Sequence, residues 1–468
     1  MKLAATALAL AFLAAQPPAL DGVDDYVRAQ MKEQRIPGLA LAIVRNGQVV
    51  KATGYGVADV DNDVPVTADT VFEVASITKQ FTATLIMMLI EERKLRLDDK
   101  LVTLLTDPPP AWKDITIYHL LTHTGGLAPL GDDFKSAVWR TRMSTAALYE
   151  AAKQDPMGGA PGERWSYSDV GYFLLGMVIE KVTGQRYGEA LSQRILQPLQ
   201  MTSSRMLDHR RPLKHLARGY TLYRDPAAAS AAEELVNIRR VVDVELASHF
   251  GLFSTVRDLA KWDAALYTEK VLKRSSLEHM WSPARLQDGS NDGYGFGWEL
   301  FQRRGHKLVG HSGITGTYLL RVPGREITVI VLTNLGRWTS GESRGANPQK
   351  IAFDLAAMVD PELALKPIED RDPDVTRKVR TVFMSLGGGS LDSTLVSPKV
   401  AKELADNLEG IRRFAQRFGT LQSLELVDRY GDSGGRVFFY RMKSATMSMV
   451  FKVRVDARGT ITDFGPEG

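Results

Sequence analysis

Segments typical of β-strands lie at both ends of a long stretch of this chain, with helical patterns between them. Near the amino terminus, LALAIV and QVVKATGYGVA are joined by Arg45-Asn46-Gly47. Asn-Gly between apolar runs predicts a hairpin, because both residues tolerate a positive φ. Strand patterns return only in HKLVGHSG, TGTYLLRVPG and EITVIVLTN. One sheet must therefore combine distant parts of the chain. This predicts an α/β (α+β) body over about 19–359, with a helical region inserted between the two groups of strands.

Helical spacing first occurs in DGVDDYVRAQMKEQRIPG, where it stops at Pro37-Gly38. We expect the first long helix to run from Ser76 to about Lys94. Gly184 is a predicted helix stop, because glycine readily adopts the left-handed conformation of a C-terminal cap. Further helices are expected at Ile115–Leu121, Ala146–Lys153, Ser168–Val182, Tyr187–Leu196 and Val256–Leu266.

A second unit is predicted after the Pro- and acid-rich segment DPELALKPIEDRDPDV, of which residues 360–374 are interpreted as a linker. Helical stretches near Val375–Leu386 and Lys399–Phe418 precede the strand-like runs SLELVDRY, GRVFFYRMKS, TMSMVFKVRVD and GTITDFG. This order indicates a small C-terminal α+β domain over 375–468, which resembles cystatin-like or nuclear transport factor 2-like modules. We expect it to rest on the larger body, to shape its cleft or to mediate homo-oligomer formation.

The amino terminus has the features of a secretory signal peptide. Lys2 is followed by the apolar run LAATALALAFLAA and then by QPPAL. A positive residue, a short apolar core and small residues before a break are typical of a cleaved leader, here residues 1–18. The alternative is an anchor helix that stays attached. The prediction is an exported protein, periplasmic or secreted, with no stable membrane span after leader removal.

Composition excludes several classes of function. The chain has no cysteine, which rules out thiol catalysis, disulfides and thiolate metal sites. Lys and Arg number 59 against 55 Asp and Glu, giving a net charge of +4. That small surplus includes no basic run, so a nucleic-acid partner is not expected.

Ser76 and Lys79, in VASITKQFTA, form the first candidate for catalysis. At i and i+3 of a helix two side chains share a face. A serine hydroxyl needs a neighbouring base to become a good nucleophile, and a buried lysine can act as one. A helix start also offers free N–H groups to an oxyanion. The alternative is a serine N-cap followed by a solvated lysine.

Two further motifs lie downstream. Tyr167-Ser168-Asp169 immediately precedes a predicted helix, which Ser168 or Asp169 would cap. A tyrosine near a lysine can shuttle protons; otherwise it is a packed aromatic residue. His311-Ser312-Gly313 lies on a predicted strand, whose edge can pair with an extended acyl chain and supply an oxyanion-hole N–H. The alternative is a glycine-kinked edge strand.

Together, Ser-x-x-Lys, Tyr-x-Asp and His-Ser-Gly in this order resemble the serine β-lactamase and penicillin-binding-protein superfamily. The resemblance is to the branch of class C β-lactamases, DD-carboxypeptidases and family VIII esterases. YHLLTHTGGL, PGERWSYSDVGYFLLGMVIEKVTG, GLFSTVRDLAKW and YGFGWEL extend the likeness over about 21–359. It implies a β-lactamase/transpeptidase-like fold: an antiparallel sheet flanked by helices, with an all-helical subdomain.

The resemblance also implies roles for the site residues. Ser76 would be the nucleophile that forms an acyl-enzyme, Lys79 its proton partner and Tyr167 the general base. The backbone N–H groups of Ser76 and Ile314 would form the oxyanion hole. Substrate-binding positions would be Asp169, His311, Ser312 and Gly313, with His311 and Ser312 on the substrate carboxylate or its equivalent. His119 and His123 are interpreted as supporting residues, and neither a metal nor a cofactor is implied.

Two residues depart from the β-lactamase pattern. Asp169 stands where asparagine is usual, so it accepts hydrogen bonds but cannot donate one to a substrate carbonyl. It is also expected to raise the pKa of Lys79 and to leave more of the base role to Tyr167. His311 replaces a lysine, which reduces the fixed positive charge near neutral pH.

The sequence therefore predicts a serine hydrolase that acts on small esters or D-amino-acid peptides, with weak or no β-lactamase activity. The alternatives are a class C-type β-lactamase or a penicillin-binding sensor or scaffold with little turnover. A non-catalytic interaction protein is the least favoured hypothesis, because Ser76, Lys79 and Tyr167 occur together.

Overall fold

A computed structural model describes residues 20–127, 143–208, 210–224, 232–238, 244–291, 293–337, 343–388, 392–432 and 434–467. The predicted leader lies outside the described residues. Within those ranges, no helix is both long and apolar enough to cross a membrane.

A seven-stranded antiparallel sheet organises the larger body. Its order is β3-β2-β1-β12-β11-β10-β9, so a strand from near residue 40 pairs with one from near residue 330. The predicted hairpin joins β1 and β2, with φ of 50° at Asn46 and 69° at Gly47. The strands are β1 Gly38–Arg45, β2 Gln48–Asp59, β3 Val64–Pro65, β9 Glu299–Arg303, β10 His306–Gly313, β11 Thr317–Val322 and β12 Ile327–Thr333.

Alternating side chains of this sheet enter two different cores. Leu39 and Leu41 of β1 join the cluster with helices α1 Val23–Gln34 and α10 Pro348–Val359. Ala40 and Ala42 face the other cluster, which includes helices α2 Thr78–Glu91 and α8 Val256–Ala265. Successive strand residues point to opposite faces, so helices on both sides bury Gly38–Val44 completely.

The predicted helical region lies between the two groups of strands. The first long helix, α2, begins at Thr78 rather than Ser76, because a 3-10 turn over Ala75–Ile77 precedes it. The remaining helices of the body are α3 Leu101–Leu104, α4 Ile117–Leu121, α5 Thr145–Gln154, α6 Asp169–Thr183, α7 Tyr187–Leu191 and α9 Arg274–Met280. Short strands form two further sheets: β4 Phe72–Glu73, β5 Arg205–Met206, β6 Tyr220–Tyr223, β7 Glu234–Asn237, β8 Leu252–Ser254 and β13 Ser343–Arg344.

The carboxyl-terminal residues form a separate α+β domain with its own core. Helices α11 Pro373–Gly388, α12 Pro398–Asp406 and α13 Leu408–Phe418 precede a four-stranded antiparallel sheet. Its strands are β14 Ser423–Asp432, β15 Gly435–Lys443, β16 Ser448–Val455 and β17 Ile461–Pro466. The second predicted helical stretch is divided near Asn407 into α12 and α13. The predicted bounds 19–359 and 375–468 stay predictions.

This domain docks on the strand β9 end of the larger body. Arg303 forms an ion pair with Glu467 at 3.1 Å, and both side chains are at most 9% exposed. The Arg304 backbone N–H also donates to Asp428 at 2.5 Å. The domain is therefore anchored to one end of the strand whose other end carries Glu299.

Candidate active site

Ser76 lies in a strained turn immediately before helix α2. Ala75 has a φ of 47°, in the left-handed region that L-residues other than glycine seldom adopt. The first hydrogen bond of the turn joins the Ile77 N–H to the Val74 carbonyl, so the Ser76 N–H comes before it. Thr78 fixes the turn by donating from Oγ1 to the Ala75 carbonyl at 2.6 Å. The turn thus presents the Ser76 hydroxyl and backbone N–H at a helix start.

Lys79 is completely buried beside Ser76. Its Nζ lies 2.5 Å from Oδ1 of Asp169, 2.8 Å from the His249 carbonyl oxygen and 3.2 Å from Oγ of Ser76. An ammonium group has three N–H donors, and here it has three acceptors. The geometry fits a charged lysine whose protons are all donated, one of them to Ser76.

The Lys79–Asp169 pair combines two opposing influences on the lysine. Burial lowers the pKa of Lys79, whereas Asp169 raises it. The sequence predicted the contribution of Asp169, but burial is larger and the net shift is downward. Burial is the largest influence on Asp169 and opposes its charged form, but Lys79, together with smaller contributions from His249 and His311, holds the pKa of Asp169 below its usual value. Asp169 is thus a carboxylate at neutral pH.

Tyr167 completes this cluster. The Ser76 side chain is near enough to its hydroxyl to lower the pKa of Tyr167, and its ring lies 4.7 Å from Nζ of Lys79. Burial first, and the charge of Asp169 second, raise the pKa of Tyr167 well above its usual value. Tyr167 is therefore a neutral phenol in the resting site, not a phenolate stabilised by Lys79.

Helix α6 positions both Tyr167 and Asp169. Ser168 is its N-cap, and its hydroxyl accepts from the Gly171 N–H at 3.4 Å. This selects Ser168 over Asp169 as the cap and leaves the Asp169 carboxylate for Lys79. The predicted stop is also present, since Gly184 caps the helix with a φ of 68°.

The two histidines of YHLLTHTGGL have supporting positions. The His123 ring lies 4.4 Å from that of Tyr167, and its Nδ1 accepts the Ser168 N–H at 3.0 Å. Burial lowers the pKa of His123 far below its usual value, so this acceptor nitrogen stays unprotonated. His119 accepts the Thr116 N–H and completes the capping box of α4.

The end of strand β10 packs directly on the Ser76 turn. A Cβ at Gly313 would lie 2.5 Å from the Val74 carbonyl oxygen and 3.3 Å from Cβ of Ala75. Thr315 and Thr317 bind the following segment to the same turn, donating to the carbonyls of Glu73 and Val74 at 2.6 and 3.1 Å. This packing brings Ile314, the other predicted oxyanion-hole residue, to the Ser76 turn.

Strand β10 is internal to the sheet, but its last residues are not paired on one side. Strand β9 begins at Glu299, opposite Gly310. His311, Ser312 and Gly313 therefore extend past the start of β9, while β11 pairs their other side. Main-chain pairing on this side therefore ends at Gly310, and the Ser312 N–H there donates to the Glu299 side chain at 3.2 Å.

His311 is neutral in this arrangement. Its Nδ1 lies 2.7 Å from the Ser312 carbonyl oxygen, and its Nε2 lies 2.8 Å from the Tyr294 hydroxyl. A neutral ring that donates from Nδ1 and accepts at Nε2 satisfies both contacts. Burial lowers the pKa of His311, and Glu299 opposes this only in part. The third motif therefore contributes no positive charge at neutral pH.

Glu299 is a further site residue, which no sequence motif indicated. Its Oε1 accepts from the Ser312 hydroxyl at 2.7 Å and from the Ser312 N–H at 3.2 Å, and its Oε2 accepts from the Tyr318 hydroxyl at 3.1 Å. Tyr294 and His249 were also missed. Glu299 and Tyr294 both belong to YGFGWEL, so a segment used for the resemblance already contained them.

The site consists of side chains and backbone groups suited to nucleophilic catalysis. Within the described ranges, no cluster of three His, Asp or Glu residues could hold a metal ion. The arrangement can deliver a serine oxygen to a carbonyl, stabilise an oxyanion and move a proton through Tyr167.

The sequence profile described as Beta-lactamase matches residues 23–352. The chain belongs to the beta-lactamase family. Penicillin-binding protein 4* of Bacillus subtilis (strain 168) is 30% identical over 316 residues, or 65% of this chain and 69% of that protein. Protein flp of Staphylococcus aureus (strain N315) is 29% identical over 326 residues, which span 67% of this chain and 62% of that protein's length. The match thus covers less than two thirds of Protein flp.

Among solved structures of the family, the octameric penicillin-binding protein homologue from Pyrococcus abyssi has a TM-score of 0.64 and 26% identity. The alignment covers 94% of this chain and 96% of that one, so it includes the C-terminal domain. Family membership and the mixed α/β architecture agree: the protein is a serine hydrolase with the β-lactamase/transpeptidase fold.

Proposed function

We propose that Ser76 is acylated by small esters or D-amino-acid peptides and that water then releases the acyl group. The observation that carries this proposal is the position of the Ser76 hydroxyl, 3.2 Å from Nζ of Lys79 and beside the side chain of Tyr167, whose pKa it influences. A serine held between a cationic donor and a second proton-transfer group is arranged for attack on a carbonyl.

Tyr167 would move the proton. Since Lys79 donates a hydrogen bond to Ser76, the proton of the serine hydroxyl is directed toward Tyr167. As the Ser76 oxygen bonds to the carbonyl carbon, its proton passes to the Tyr167 oxygen. In the same step the phenol proton passes to the leaving-group atom, so Tyr167 never holds two protons, and the bond between the carbonyl carbon and that protonated atom then breaks. This shuttle needs no resident phenolate, which agrees with the raised pKa of Tyr167.

Lys79 and the backbone N–H groups would stabilise negative charge. The ammonium donates to the Ser76 oxygen in the resting site and strengthens that bond as charge develops on it. The N–H groups of Ser76 and Ile314 would receive the carbonyl oxygen in the tetrahedral intermediate. Water would attack the acyl-enzyme by the reverse route, giving its proton to Tyr167 while Ser76 recovers one.

The substrate ranking depends on Asp169, His311 and Ser312. Asp169 is engaged with Lys79 and cannot donate to a substrate carbonyl. His311 is neutral, so it adds no charge attraction for a carboxylate. These features favour small esters, and D-amino-acid peptides that place no carboxylate beside Ser312, over β-lactams, with weak or no β-lactamase activity.

A penicillin-binding sensor or scaffold with little turnover is the second candidate, and a class C-type β-lactamase the third. The 2.5 Å contact between Lys79 and Asp169 favours the sensor over the β-lactamase, because it holds the lysine as a donor instead of a free base. The name of the Bacillus subtilis relative includes penicillin binding.

The deciding experiment compares wild type with Ser76→Ala on a chromogenic ester, a D-alanyl peptide, nitrocefin and a fluorophosphonate probe. Ester or peptide turnover and probe labelling that disappear in Ser76→Ala are expected. Nitrocefin turnover near the ester rate would instead indicate a β-lactamase. Stoichiometric acylation without turnover would indicate a sensor, and a wild type as inactive as the variant on all four would contradict hydrolysis.

Export and self-association are part of this proposal. The apolar run after Lys2 supports a leader of residues 1–18 and a periplasmic or secreted protein. The Pyrococcus abyssi homologue, which aligns over the C-terminal domain, is octameric. We expect light scattering on the purified mature chain to give a homo-oligomer, and mass spectrometry of exported protein to find residues 1–18 removed.

A further inference from the structure

The wall of the cleft that Ser312 forms carries a negative charge. Glu299 directs Oε1 to both the hydroxyl and the N–H of Ser312. The Ser312 hydroxyl therefore donates to Glu299, and this proton is not available to a substrate carboxylate. The Glu299 side chain is 22% exposed, so its charge is only partly screened by water.

The neighbouring charges do not cancel that of Glu299. Lys79 and Asp169 form a neutral pair between themselves. Within the described part of the chain, the ionisable nitrogen found within 4.0 Å of Glu299 is Nδ1 of His311, at 3.9 Å, and it donates to the Ser312 carbonyl as part of a neutral ring. The charges of Lys79, Asp169, His311 and Glu299 thus sum to one negative charge, which lies on Glu299.

We propose that Glu299 selects substrates with a positive charge beside Ser312 and disfavours those with a carboxylate there. This inference rests on the proposed acylation of Ser76 and names the substrate class of that same site. An ammonium group would approach a carboxylate that already has a fixed orientation, whereas a carboxylate would meet a like charge and an already donated hydroxyl. The position that the resemblance assigned to a substrate carboxylate is thereby suited to a cation.

The test uses two pairs of isosteric esters, which differ only in charge. On the leaving-group side these are 3-(trimethylammonio)phenyl acetate and 3-tert-butylphenyl acetate. On the acyl side they are the 4-nitrophenyl esters of trimethylammonioacetate and 3,3-dimethylbutanoate. Each kcat/KM is divided by the rate constant for hydroxide hydrolysis of the same ester, which removes intrinsic reactivity. A 3-carboxyphenyl ester completes the series.

At low ionic strength, we expect the normalised kcat/KM of wild type to be about fivefold higher for the cationic ester than for the neutral ester in at least one pair. The normalised kcat/KM of the 3-carboxyphenyl ester should be lower than that of the neutral ester. Glu299→Gln keeps the size and an acceptor oxygen but removes the charge, so the ratio should fall toward one. Glu362→Gln is the matched control. Glu362 is an exposed carboxylate paired with Arg325, near the His306 end of β10. Glu362→Gln should give the same ratio of cationic to neutral ester as wild type.

Equal rates within both pairs, a preference for the carboxylate, or a ratio that Glu299→Gln leaves unchanged would overturn the inference. A carboxylate preference would point to Arg337, an exposed cation whose backbone N–H donates to the Ile314 carbonyl. If Glu299→Gln does not fold, wild type alone tests the inference. The ratio of cationic to neutral ester must then exceed one at low ionic strength and decrease in high salt. Failure of the proposed function looks different, since no neutral ester would then react faster with wild type than with Ser76→Ala.

Discussion

Nζ of Lys79 and Oδ1 of Asp169 lie 2.5 Å apart, although 90 positions separate the two residues in the sequence. The contact pairs the buried lysine with a carboxylate and leaves its third proton for Ser76. This pair holds Lys79 as a hydrogen-bond donor and so leaves Tyr167 as the group that moves the serine proton.

Asp169→Asn should increase reactivity with β-lactams. The asparagine amide can donate to a substrate carbonyl, a bond worth about tenfold in rate. Without the carboxylate, nothing opposes the effect of burial, so the pKa of Lys79 should fall further. Since the charged ammonium is the active form, the alkaline limb of the kcat/KM profile should move to lower pH. Stopped-flow acylation by nitrocefin and a pH profile measure the two effects. Acylation at the wild-type rate would reject the missing donor as the cause of weak β-lactam recognition.

Tyr167→Phe should lower kcat for ester hydrolysis by roughly 100-fold to 1000-fold, because the proton shuttle is lost. Tyr172→Phe is the matched control. The Tyr172 ring also lies near Lys79, at 5.6 Å, but its hydroxyl donates to the Leu121 carbonyl. Tyr172→Phe should lower the free energy of unfolding and leave kcat close to that of wild type. Similar kcat values for the two variants would remove Tyr167 from the mechanism.

Gly313→Ala should impair the oxyanion hole. An added Cβ would lie 2.2 Å from Oγ1 of Thr317 and 2.5 Å from the Val74 carbonyl, so β10 must move away from the Ser76 turn. We expect ester hydrolysis to fall by about 100-fold, the loss typical of one displaced oxyanion donor. At Gly324 a Cβ would meet nothing within 4 Å, so Gly324→Ala should retain activity. Full activity in Gly313→Ala would contradict the assigned role of Ile314.

Glu467→Ala should loosen the C-terminal domain. It leaves the buried Arg303 guanidinium without its 3.1 Å partner, a loss of about 3–5 kcal/mol in the free energy of unfolding. Replacing both residues, as Arg303→Met with Glu467→Leu, should cost far less, since no unpaired charge stays buried. Urea unfolding of the three proteins measures this. Equal losses in the single and double variants would show that the pair does not act through its charge.

Stability should decrease between pH 7 and pH 5 because of buried histidines. Burial lowers the pKa of His249 to about 3, whereas the unfolded chain protonates it near pH 6.5. In this interval the unfolded state binds more protons, so the free energy of unfolding falls as the pH falls, by about 2 kcal/mol from pH 6.5 to pH 5. His123 and His311, with lowered pKa values, act in the same direction.

Urea unfolding at both pH values tests this expectation. His249→Gln should flatten the pH dependence, whereas His215→Gln, at an exposed histidine, should keep the wild-type slope. A slope that is equal in wild type and His249→Gln would contradict the assignment to His249.

Local sequence determined much of the architecture. Asn46-Gly47 specified a hairpin because few other residues tolerate its backbone angles, and apolar runs such as LALAIV indicated strands. The spacing of Ser76 and Lys79 placed both side chains on one side of a helix start, and Ser168 and Gly184 marked the ends of α6. Each of these features depends on residues within a few positions of one another, so each can be predicted from local sequence.

Only the tertiary structure decided what charge the site carries. Burial of Lys79 and His311 is created by segments far away in the sequence, and it lowers both pKa values in a way that no motif shows. Glu299 reaches Ser312 because β9 pairs with β10 in one register, which a pattern of alternating residues cannot specify. The sequence therefore determined which residues could react, and the packing of distant segments decided their protonation and the substrates that they would accept.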